Sequence, residues 1–171
     1  MKRAGVVLGL TGLAVCLALG GAAQAKEEKA ERVDVKVQKQ WGGQGSGYGE
    51  PASFVAKNAE EWQKRWSQMF DEPVPAGSTT PAVIHKPPIV DFKKSMAIAV
   101  FQGKQPSSGY AVEIRRVLQT KDELIAEVVE SRPSPAAKVE QTPTSPYQVV
   151  IVERSELPVR FFVVGSGKGQ P

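Results

Sequence analysis

The residues that could do chemistry in this 171-residue chain form a short inventory, beginning with its single histidine, His85. Any Ser-His-Asp machinery would have to use it. It lies in the run Ile84-His85-Lys86-Pro87-Pro88, and no serine sits in the glycine-flanked turn of a nucleophile elbow. A surface or edge position is the reading those neighbours support. Zinc needs three or four nitrogen or sulfur ligands, and the chain offers one histidine and one cysteine, Cys16. The acidic pairs Glu60-Glu61, Asp71-Glu72 and Asp122-Glu123 stand at a helix start or beside turns, where carboxylates are stabilised without any acid/base task. None has the spacing of a calcium loop. The glycine-rich run from Trp41 to Gly49 lacks the lysine and hydroxyl residue that a phosphate-cradling loop carries after its last glycine, so it reads as a hairpin or surface loop. The inventory therefore points to no catalytic residue, no cofactor and no metal.

The most informative polar stretch is Phe101-Gln102-Gly103-Lys104-Gln105-Pro106-Ser107-Ser108-Gly109-Tyr110. An apolar strand runs into a polar turn, and Gly109-Tyr110 opens the next alternating strand. Gly109 supplies a backbone conformation that side-chain-bearing residues resist, and Tyr110 can pack its ring while its hydroxyl finds a partner. The stretch has two readings, a structural corner and a recognition loop. On the second, Gly103, Ser107, Ser108, Gly109 and Tyr110 are the candidate partner-binding residues.

The elements that must hold such a loop follow an export signal. Met1, Lys2 and Arg3 put positive charge ahead of an apolar run over 4–23 that ends in the small-residue pattern Ala23-Gln24-Ala25, which predicts cleavage after Ala25. The destination is the periplasm or the exterior. Lipidation at Cys16 is disfavoured by Val15 and by the apolar run continuing through Leu17 and Leu19. With residues 1–25 removed, the remainder suits one domain, has no cysteine for a disulfide, and must be held by packing. The formal charge is +4, half of it from Lys2 and Arg3, and the remaining charges are interspersed. Nucleic acid and anionic membranes are poor partners for that pattern, and no membrane span is expected after the signal.

Residues 26–32 are charged and lack large apolar side chains, as a disordered lead would. Val33, Val35 and Val37 alternate with polar residues and predict a strand over 33–40. A short strand follows over 53–56. Asn58 with Glu61 three places on predicts a capped helix start, and Trp62, Trp66, Met69 and Phe70 then fall on one helical face. Pro73 and Pro75 end the helix, and the proline-rich stretch 73–88 reads as a long loop or extended arm. Strands are expected over 96–101, 110–118, 124–129, 147–152 and 160–164. The spacing of Val117, Leu118, Leu124, Ile125, Val128 and Val129 also satisfies a helix, but the turn Thr120-Lys121-Asp122 and the β-branched residues favour a hairpin. Residues 132–146 form a second long loop, and 166–171 a tail. The fold class is α+β, mainly β: a curved antiparallel sheet or sandwich/half-barrel with one amphipathic helix packed on it, forming a single domain over 33–165.

The run Pro88-Ile89-Val90-Asp91-Phe92, the strand over 96–101, the turn from Gly103 to Tyr110, and Thr144-Ser145-Pro146-Tyr147-Gln148-Val149-Val150 occur in an order that resembles the C-terminal domain of the protease-complex subunit PrcB. Trp62 and Trp66 fit that family's tryptophan-bearing helix ahead of the Asp-Phe motif, whereas Ser108 stands where the family often has a second glycine. The resemblance implies an exported, non-catalytic, protein-binding domain, an accessory subunit that stabilises or assembles an envelope protease complex. Pro106-Ser107-Ser108-Gly109-Tyr110 is also similar to the loop of chagasin-like cysteine-protease inhibitors, with Gln105 where those carry asparagine. That similarity implies the alternative, a protease inhibitor working through 105–110.

Overall fold

The computed structural model describes residues 31–70 and 85–168. The segments read as an export signal over 1–25, most of the expected lead over 26–32 and all but the end of the proline-rich stretch lie outside these residues. Eight strands and one helix follow in the order β1 (Val33–Val35), β2 (Lys39–Gly43), β3 (Ala52–Ala56), α1 (Ala59–Phe70), β4 (Ser95–Phe101), β5 (Ala111–Gln119), β6 (Leu124–Arg132), β7 (Tyr147–Glu153) and β8 (Val159–Lys168). They form two four-stranded sheets, β1-β5-β6-β8 and β2-β7-β4-β3. The α+β, mainly β reading is correct, and 111–130 is a hairpin rather than a helix.

The layers follow from alternation. Met96, Ile98, Val100, Val150 and Val152 face inward from the second sheet and meet Val112, Ile114, Val117, Leu124, Ala126 and Val128 of the first. The opposite face of the second sheet presents Phe54, Ala56, Ala97, Ala99, Phe101, Val149 and Ile151 to Trp62, Trp66 and Met69 of α1. Every residue of β4 is buried because its sheet is the middle layer, covered by a sheet on one side and by the helix on the other.

Helix α1 begins as its sequence dictates. Asn58 Oδ1 accepts from the Glu61 amide at 2.8 Å, and Glu61 Oε2 reaches back to the Lys57 amide at 3.1 Å. This is the expected capping box, with the return bond taken one residue earlier. Asn58→Ala should therefore lower unfolding stability by about 1 kcal/mol, measured as a drop in the urea midpoint.

Three features differ from the sequence reading. The strand expected over 33–40 is two strands: β1 pairs with β5 in one sheet, β2 with β7 in the other, and the chain turns the corner between them. Along that corner the Gln38 amide donates to Ile151 O at 2.8 Å, and Ser95 Oγ to Gln38 Oε1 at 3.1 Å. The sheets are not wholly antiparallel either. β6 and β8 run parallel, because the strand between them in sequence, β7, crosses to the other sheet and β8 returns in the direction of β6. Finally, β8 continues to Lys168, so the first residues of the expected tail are strand.

On the first sheet, Arg116 Nε and Nη2 donate to the two carboxylate oxygens of Glu127 at 2.7 and 3.1 Å. These hydrogen bonds hold the Glu127 carboxyl below its ordinary range, against the opposing effect of desolvation. A depressed carboxyl contributes stability that is complete above its unfolded value, near about 4.3, and is lost as pH falls through the folded value. Glu127→Gln should therefore melt below the wild type at about pH 7, and the gap in Tm should close toward about pH 3. A gap independent of pH would sink this account.

Candidate functional site

The two sheets are joined on one side by the β1–β2 corner and left open on the other, between the edge strands β3 and β8. Near the corner side, the Ile114 amide, beside a bulge in β5, donates to the side-chain oxygen of Gln148 and ties the sheets together. On the open side the described ties lie at the two ends, where Lys57 Nζ donates to Leu157 O at 3.4 Å and Gln102 Nε2 to Ser131 O at 3.3 Å. A cleft of about 350 Å³ lies there, lined by Pro51, Ala52 and Ser53 at the β3 edge, Phe161 and Val163 at the β8 edge, and Val100, Val112 and Val128 in its floor. Glu130 is its one charged lining residue. That carboxylate is half-buried and has neither an ion pair nor a hydrogen bond among the described residues.

The two edges differ. β3 has five residues and leads directly into the helix cap, whereas β8 has ten and keeps apolar side chains uncovered on both of its faces. Phe162 is 48% exposed and Val163 53%. Such an edge is a ready template for another strand unless a charge, proline or covering element protects it.

The candidate loop 103–110 borders this cleft. The strand residue before it, Phe101, and the one after it, Val112, both line the cleft, and Gly103 sits against the Glu50-Pro51 backbone. At Gly103 φ is +74°, and an added Cβ would lie 2.8 Å from both Glu50 C and Pro51 N. Gly109 also has positive φ, +87°, as its place at the start of a strand suggested.

Within the loop, the structure separates buried from presented residues. Ser107 is 6% exposed, and its carbonyl accepts from Thr144 Oγ1 at 3.0 Å. Ser108 exchanges two bonds with the backbone of Glu140, at 3.0 and 2.9 Å. Gln105 forms a two-bond bridge with Thr144, and the Lys104 amide donates to Gly49 O at 2.8 Å. Gly103 and Ser107 are thus anchors, Ser108 and Tyr110 are half-buried, and Gly109 is exposed with Lys104 and Pro106.

The glycine-rich run has a structural task at the far end of α1. The Gly47 amide donates to the Met69 carbonyl, one of the last four of the helix, at 2.6 Å, and a Cβ at Gly47 would stand 2.7 Å from Gln68 O. Tyr48 stacks on Phe101 with ring centroids 4.2 Å apart. His85 lies 5.8 Å from the Phe70 ring, centroid to centroid. Among the described residues no three His, Cys, Asp or Glu side chains are placed to hold a metal ion, and no helix is long and apolar enough to cross a membrane.

The cleft residues Ser53, Glu130, Phe161 and Val163 were not singled out by their sequence context. β3 and β8 lie near opposite ends of the domain, and no local pattern announces that their edges frame one opening.

Comparison with known proteins is consistent with the resemblance. Residues 96–153, the run from β4 through β7, match the family model described as PrcB C-terminal. No curated protein and no solved structure matches the chain.

Proposed function

We propose, taking the matched segment as a PrcB C-terminal domain, that this protein is an exported, non-enzymatic accessory domain that binds another protein. Its partner contact is the end of the sandwich where the 103–110 loop borders the open β3–β8 cleft. The observation that carries this reading is the opening itself: an apolar cleft between two edge strands, with exposed Phe162 and Val163 beside it. Apolar edges left uncovered are characteristic of interaction sites. The assembly served is an envelope protease complex, in keeping with the family's association with a protease.

Cross-linking in cells followed by mass spectrometry tests it. The expected result is a specific exported protein, with cross-links placed at Lys104 and along β8. Cross-links confined to the helix face or the β1–β2 corner would refute the assignment. The inhibitor alternative gains less support, since Ser107 is buried and its carbonyl is already bonded within the protein. It requires slowing of a papain-like protease that is lost when residues 107–109 are replaced.

A further inference from the structure

Resting on that protein-binding reading, we infer how the partner engages: an extended segment of the partner adds as a fifth strand at the β8 edge, and a lysine or arginine of that segment pairs with Glu130. The register supplies the argument. Ala126 pairs with Phe161 and Val128 with Val163, so Phe161 and Val163 carry the inward row of β8; the register then shifts by one residue between Val129 and Ser131, which leaves Gly165 and Ser166 together opposite Glu130. A Cβ at Gly165 would have no atom within 4 Å. The missing side chain leaves a gap in the edge through which Glu130 is reached from outside the sheet.

A strand laid along β8 alternates its side chains as any strand does. Its inward row meets Phe161, then Val163, then the gap at Gly165. The complementary segment therefore carries two apolar residues, two positions apart, and a basic residue two positions beyond the second. The main chain supplies affinity through ladder hydrogen bonds, and the alternate side chains supply selectivity. A half-buried carboxylate in an apolar cleft, with no hydrogen bond or ion pair among the described residues, favours a cation in that third place.

The test uses the full chain and fluorescent synthetic peptides of about twelve residues, valines alternating with threonines, in which the third place of the valine row is lysine, glutamine or glutamate. The lysine peptide should bind on the order of fivefold tighter than the glutamate peptide, in either chain direction that fits. Alternate amides of β8 should gain protection from hydrogen exchange when it binds. Val163→Lys, at an exposed position, should abolish binding of all three peptides, and Glu130→Gln should keep binding but erase the lysine preference. Equal affinities in the unaltered chain, or protection on β3 instead of β8, would overturn the inference. A concentration-dependent dimer lost in Val163→Lys would also overturn it, since the occupant is then a second copy. The cellular cross-linking separates the two claims. A partner captured equally by Val163→Lys leaves protein binding standing and removes strand addition, whereas peptide binding with no cellular partner does the reverse.

Discussion

Trp62→Ala should remove about 3–5 kcal/mol of unfolding free energy. Trp62 is 2% exposed and packs between Trp66, at 5.1 Å, and Phe54, at 6.5 Å between centroids. Its Nε1 donates to Pro88 O at 3.0 Å, fastening the segment before β4 across the helix. Alanine at this position leaves a cavity in the layer between α1 and the second sheet and frees that segment. Against a typical domain stability of about 5–15 kcal/mol, this is a large share. Urea unfolding should show a lower midpoint with an unchanged slope. A comparison isolates the hydrogen bond: Trp62→Phe loses it, whereas Trp66→Phe removes a buried indole N–H that has no partner among the described residues. Trp62→Phe should therefore be the more damaging of the two, and the reverse order would refute this assignment.

Gly103→Ala should rank next, lowering stability by about 2 kcal/mol or more. Left-handed backbone costs a side-chain-bearing residue about 1–2 kcal/mol. The added Cβ meets main-chain atoms of Glu50 and Pro51, which cannot rotate away as the end of a side chain could. Pro51 lines the cleft, so relief of the clash displaces one of its walls. The expected result is a lower melting temperature together with weaker partner binding at a temperature where the variant is still folded. A stable variant would mean that the 103–110 loop is more pliable than its bridge to Thr144 implies.

Much of the fold was written in short-range patterns. The Asn58–Glu61 cap, the tryptophan face of α1 and the alternation of β5 and β6 each depend on residues a few positions apart, and each is found where its pattern placed it. The conformation of Gly109 was legible for the same reason, since positive φ at a strand junction is a local demand that glycine meets, whereas the positive φ of Gly103 was not read from its neighbours. The burial of Ser107 was not, since it depends on Thr144, more than thirty residues along the chain.

The amino-acid order by itself determined the class of the protein: a β-rich domain carrying one amphipathic helix, with a short chemical inventory and a segment, 96–153, that matches the PrcB C-terminal family model. Tertiary structure alone decided how the strands are shared between sheets. It split 33–40 at a corner, set β8 parallel to β6, and left β3 and β8 as the two edges of one opening. Alternation specifies which face of a strand is apolar, but the neighbour of that strand is chosen by pairing and burial across the whole chain. The opening, and the place of Glu130 inside it, exist only once that choice has been made.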